Sequence, residues 1–94
     1  MTVKLSKFDA TEYLETDEDV AGFLSEALKT GDSEYVNHAF GVVARARGMT
    51  DIARRSGIKR EALYRALSKT GNPQFKTIHE VIKAMGLTLT VSAS

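Results

Sequence analysis

Ninety-four residues, 43% of them hydrophobic and only one a proline, suffice for one folded domain with a modest core and exclude a disordered chain. The absence of cysteine excludes disulfides, thiolate-zinc sites and thiol catalysis, and no apolar run reaches the roughly 20 residues of a membrane span. The net charge of +1 hides a division, because residues 1–34 carry three lysines against nine acids, a balance of −6, and residues 35–94 carry ten Lys or Arg against three acids, a balance of +7.

The basic part suits a polyanion; the acidic part suits a basic protein partner, or serves solubility. The N-terminal stretch lacks the apolar centre of a signal peptide, so a cytoplasmic location is expected. In chain order, residues 2–5 alternate weakly, as a short strand would. Asp9 and Glu12 stand at capping-box spacing and open a short helical turn through Tyr13 and Leu14. Thr16 and Asp19 repeat that signature. Val20, Phe23, Leu24, Ala27 and Leu28 then follow at i, i+3, i+4, i+7 and i+8, one apolar stripe of a helix. Asp17, Glu18 and Asp19 crowd its first turn, where the helix dipole favours acids; being consecutive they diverge and do not form a metal site. Gly31 ends this helix, and Asp32 or Ser33 caps the next.

The segment from Ser33 to Arg47 places Val36, Ala39, Phe40 and Val43 on one face. His38 has no nearby partner for metal or base chemistry and reads as a surface or half-buried side chain. Arg45 and Arg47 complement the C-terminal dipole, within reach of a nucleic-acid backbone, before Gly48 breaks the helix.

Residues 49–68, MTDIARRSGIKREALYRALS, carry the most information. Ile52, Ala53 and Ser56 recur at helical spacing before Gly57, and Ile58, Leu63, Ala66 and Leu67 supply apolar positions after it. Gly57 stands where a tight turn needs positive φ, small Ala53 lets two helices cross closely, and Leu63 turns back onto the first helix. An ordinary helical hairpin shares each feature singly, so the weight lies in the combination of offsets. Lys59, Arg60, Glu61, Ala62, Tyr64 and Arg65 lie outside the apolar stripe. Long polar side chains in that position suit a recognition helix in a major groove, where Arg pairs with guanine and Tyr64 meets a phosphate or a thymine methyl. The surrounding Lys and Arg supply phosphate attraction.

Residues 69–73 (KTGNP) form a turn by composition, and the last helix is expected from 74 to 85 with Phe75, Ile78, Val81, Ile82 and Met85 inward and Gly86 as its C-cap. His79 lies beside this stripe as a structural or exposed residue. Residues 87–91 alternate strictly, which predicts a strand paired either with residues 2–5 or with the same strand of a second chain. The sequence contains no GxxxxGK[ST], GxGxxG, HExxH or compact Ser/His/Asp set. Neither an enzyme, a cofactor, a metal nor a small-molecule substrate is therefore expected.

From Ser33 onward the chain resembles the lambda-repressor-like (Xre-type) helix-turn-helix domains, on the strength of DIARRSGIKREALYRALS, the Asn72-Pro73 turn and FKTIHEVIKAMGL. The whole chain resembles the antidote proteins (antitoxins) of bacterial type II toxin–antitoxin modules, through KFDATEYL, the acidic helix after it and the terminal GLTLTV. The resemblance implies neutralisation of a RelE/ParE-like toxin and autorepression of the operon. Two departures stand out: Thr50-Asp51 replaces a phosphate-clamping glutamine, and Gln74 replaces a capping Ser or Thr.

The expectation is thus a mainly α fold of five to six helices, lambda-repressor-like, with a short C-terminal β-strand. One domain spans residues 1–94, divided into an acidic helical region (1–32), a helix-turn-helix core (33–86) and the strand (87–92). Candidate DNA contacts are Thr50, Lys59, Arg60, Glu61, Tyr64, Arg65 and Lys69. Candidate toxin contacts are Asp9, Glu12, Asp17, Glu18 and Glu26, and Leu87, Leu89 and Val91 are candidates for a homodimer interface. The expected partners are double-stranded operator DNA, a basic toxin and a second copy. A transcription regulator without a toxin, or an interaction module using the fold as scaffold, are the alternatives.

Overall fold

The computed structural model describes residues 14–93, and among these it contains five helices and no strand. They are α1 (Asp17–Lys29), α2 (Ser33–Arg47), α3 (Met49–Ser56), α4 (Arg60–Ala66) and α5 (Phe75–Ala84). The additional turn of helix expected at residues 9–14 lies almost wholly outside the described residues.

Local chemistry sets the boundaries. The Thr16 hydroxyl accepts from the Asp19 N–H at 3.0 Å, while the Asp19 carboxylate accepts from the Glu15 and Thr16 N–H groups at 3.2 Å each. This capping box starts α1 where the sequence places it. Asp32 caps α2, accepting from the N–H groups of Glu34 (3.1 Å) and Tyr35 (3.3 Å). Gly57 lies in the left-handed region at φ 76° and its N–H donates to the Ala53 carbonyl at 3.0 Å, so α3 stops and the chain turns into α4 within three residues.

Packing then orders the elements. α1 lies on α2, and α3 contacts α2, α4 and α5, which makes the short α3 the hub of the C-terminal half. Phe40, Val43, Ile52, Leu63, Leu67 and Val81 are almost completely buried, joined by Val20, Leu24 and Ala27 from α1. Leu63 is the inward anchor expected of α4. Ala53 and Ile58 are half-buried against the same cluster. Gly41 gives α2 room against the end of α4, since a Cβ there would lie 2.5 Å from the Leu67 carbonyl oxygen.

Three expectations are corrected. Residues 87–93 form no strand: a ladder needs a neighbour, none is present among the described residues, and the other proposed partner, residues 2–5, lies outside them. The alternation still sorts the side chains. Leu87 and Leu89 pack on the core and Thr88 and Thr90 are exposed, but Val91 is 95% exposed and packs on nothing among the described residues. Phe75 does not face inward; it is 66% exposed at the first position of α5 and stacks on exposed His79 with ring centroids 5.5 Å apart. A side chain on a first turn leans back beyond the helix end, away from the core under its middle. Leu28, in the last turn of α1, is likewise exposed.

Candidate nucleic-acid interface

The exposed side of α3 and α4 brings together most of the sequence-predicted polyanion contacts. Lys59 precedes α4 in extended conformation, and Arg60, Glu61, Tyr64 and Arg65 are exposed along it, whereas Ala62 is half-buried. The Arg60 guanidinium lies 5.5 Å from the Tyr64 ring centre, and its Nη2 donates to the Tyr64 hydroxyl at 3.5 Å. Lys69 is exposed on the turn after α4, and Thr50 in the first turn of α3. Gly48 offers no side chain to cap α3, so its leading N–H groups stay open beside Thr50. Gln74 likewise makes no capping hydrogen bond for α5, as its departure from Ser or Thr implies.

Electrostatics divides the cations into two sets. In α3, Asp51 pairs with both Arg54 and Arg55, the latter at 3.1 Å. At the end of α2, Arg47 is bound to Asp17 of α1 at 2.5 Å. Arg47 is therefore committed within the chain. Among the described residues Lys59, Arg60, Arg65 and Lys69 make no ion pair, although Glu61 stands beside them in sequence; exposed Arg45 on α2 and Lys76 on α5 make none either. Four exposed cations lie on α4 and at its two ends, and no carboxylate among the described residues pairs with them.

The acidic candidates behave differently from one another. Asp17 is held by Arg47, and Glu26 pairs with Lys29 at 3.4 Å with both side chains well exposed. Glu18 is exposed and makes no ion pair among the described residues. Asp9 and Glu12 lie outside the described residues. Of the five, the three described ones, Asp17, Glu18 and Glu26, all lie on α1, and two of them are paired with cations of this chain.

Two contacts were not named from the sequence, for different reasons. The Asp51 network was readable from its i+3 and i+4 spacing to Arg54 and Arg55. The hydrogen bond from Asn37 Nδ2 to the Gly71 carbonyl (2.8 Å) spans 34 positions and leaves no local signal. Among the described residues no group of three or more His, Asp or Glu is arranged to hold a metal ion, and no helix is long and apolar enough to cross a membrane.

Comparison with known proteins supplies the family. No solved structure matches the chain. A protein of Haemophilus influenzae, known only as an uncharacterized protein, is 46% identical over 94 residues, covering 100% of this chain and 97% of that one. A family model described as probable addiction module antidote protein matches residues 4–93. The chain belongs to this family of probable addiction module antidote proteins.

Proposed function

We propose that the protein is the antidote of a toxin–antidote pair that neutralises a basic, RelE/ParE-like toxin and represses its own operon, with α3 and α4 acting as a DNA-reading helix-turn-helix. The family supplies the cognate toxin. The DNA reading is carried by one observation: among the described residues the cations on and around α4 are exposed and without carboxylate partners, while Arg54 and Arg55 of α3 share the one carboxylate of Asp51. Unneutralised Lys and Arg beside a short exposed helix release counterions from DNA and present donors to guanine edges. Lys59, Lys69 and Thr50 then take backbone contacts, and Arg60, Glu61, Tyr64 and Arg65 take base edges. The test is a titration of the full chain with a duplex from upstream of its own coding sequence and with a scrambled duplex. A preference of about 10³ or more is expected of specific recognition; equal affinity for both duplexes contradicts the reading.

The toxin surface is assigned to the acidic N-terminal region. RNA-cleaving toxins are basic because they hold RNA, so acids on α1 complement them. Deleting residues 1–15 is a poor probe of this surface, since it removes Leu14, which is 3% exposed in the core. Charge reversal avoids that problem. Glu18→Lys/Glu26→Lys is expected to weaken toxin capture at least tenfold and to cost about 1–2 kcal/mol of stability, since it loses a first-turn acid and the Lys29 ion pair on an exposed face but touches no buried side chain. Calorimetric titration with the cognate toxin measures it, and unchanged affinity removes these residues from the interface.

The protein is proposed to act as a homodimer, since half-sites about one helical turn apart need two recognition helices held together. Residues 87–91 are suited to pairing across a two-fold axis, with Leu87, Leu89 and exposed Val91 on one face. The Leu89 N–H makes no hydrogen bond among the described residues. Leu89→Pro is therefore expected to spare the helices and to convert dimers to monomers by removing a ladder donor. Light scattering with circular dichroism decides it; a variant that stays dimeric places the interface on the helices.

A further inference from the structure

The turn that carries Lys69 is held by a single hydrogen bond from another helix. Asn37, half-buried on α2, donates from Nδ2 to the Gly71 carbonyl at 2.8 Å. The rest of the turn closes on itself and on the end of α4. The Gly71 N–H donates to the Ser68 carbonyl at 3.0 Å, and the Ser68 hydroxyl donates to the Arg65 carbonyl at 2.9 Å. Gly71 sits so tightly there that a Cβ would lie 2.4 Å from the Ala66 carbonyl oxygen and 2.5 Å from that of Arg65. No other hydrogen bond among the described residues joins this turn to α2.

What the turn displays is suited to a phosphodiester. Lys69 and Thr70 are exposed, their N–H groups make no hydrogen bond among the described residues, and Lys69 has no ion pair. A shallow cleft of about 460 Å³ lies between the turn and α4, with Arg65 on the helix side and Thr70 and Gly71 on the turn side; Lys69 stands outside its lining.

We propose that Asn37 is a positioning residue for DNA, holding the turn through Gly71 so that Lys69 and the free N–H groups meet one backbone phosphate. This rests on the DNA reading above. Asn is suited to the task because its carboxamide donates to a carbonyl without bringing a charge. Asp in its place would set a carboxylate oxygen against a carbonyl oxygen, and nearly isosteric Leu would keep the volume and lose the donor.

The salt dependence of binding separates positioning from simple stability, because its slope counts phosphates engaged rather than how firmly the protein is folded. The full chain is titrated with a random-sequence duplex of roughly two helical turns between about 50 and 200 mM salt. Lys69→Ala is expected to flatten the log–log slope by about 0.9 for each protomer bound, a salt penalty about 3–4-fold smaller per protomer over that range. Asn37→Leu is expected to flatten it equally, and Asn37→Leu/Lys69→Ala no further than either alone. A wild-type slope in Asn37→Leu, or flattening that doubles in the double variant, overturns the proposal.

A wild-type measurement serves if the Asn37 variants do not fold. On addition of the same duplex the backbone amide resonances of Lys69 and Thr70 and the Asn37 carboxamide are expected to shift together. Shifts confined to Lys69 and Thr70, or absent from them, overturn the proposal. If wild-type protein shows no salt-dependent affinity for duplex, the DNA reading itself fails; binding with a Lys69-dependent slope that ignores Asn37 leaves that reading intact and removes only Asn37's role.

Discussion

Leu63→Ala is expected to destabilise the protein by about 2–5 kcal/mol, the range for removing a fully buried Leu side chain and leaving a cavity. Leu63 is 0% exposed, and it is the buried residue within α4. A seven-residue helix has no stability of its own, since isolated helices shorter than about 12–15 residues are marginal in water. The exposed cations of α4 are therefore held in place by Leu63, and by Leu67 just after it, docking into the cluster around α3. Against a total stability of about 5–15 kcal/mol for a small domain, the loss is large enough to deplete the folded state on modest heating. Urea titration followed by circular dichroism measures it, and the midpoint should fall with little change in slope. A loss below about 1 kcal/mol would show that α4 docks by other contacts.

Arg60→Ala/Arg65→Ala is expected to leave stability within about 0.5 kcal/mol of wild type and to remove most of the preference for the operator. Both side chains are exposed, and among the described residues neither is in an ion pair. Their removal thus exposes no buried charge. If each pairs with a guanine edge, the discrimination lost is about 2–6 kcal/mol, from about 30-fold to about 20,000-fold in relative affinity. Lys59 and Lys69 remain, so salt-dependent attraction to any duplex should persist. Competition between operator and scrambled duplex at constant salt measures the change. Undiminished preference in a folded double variant would move base recognition off α4.

The parts of the fold readable from sequence are those fixed within a few residues. Thr16 with Asp19, Asp32 before its helix and Gly57 at the turn each act on neighbours, so spacing alone places the helix starts and the α3–α4 corner. Leu63 follows from periodicity once Gly57 fixes where α4 begins. Elements whose state depends on a distant partner are not readable in this way. Residues 87–91 have the alternation of a strand, yet a strand exists only if a second edge is present. Phe75 fits the apolar period of α5, but its position on the first turn carries it past the core. The exposed polar side of α4 was legible as residue types. That Arg47 is bound by Asp17 while Lys59, Arg60, Arg65 and Lys69 make no ion pair among the described residues is a property of three-dimensional pairing. Asp17 shows the same limit: it reads as a free acid, and a partner 30 positions away binds it. Asn37 and Gly71, 34 positions apart, leave no trace in any local window.

The central claim is that one chain carries two separable surfaces, acids on α1 for a toxin and free cations around α4 for DNA. The most direct test measures the affinity of wild type, Arg60→Ala/Arg65→Ala and Glu18→Lys/Glu26→Lys for both the operator duplex and the cognate toxin. The account predicts a crossed result: the arginine variant loses the operator and keeps the toxin, and the charge-reversed variant loses the toxin and keeps the operator. Loss of both partners by either folded variant, or of neither by both, would contradict it.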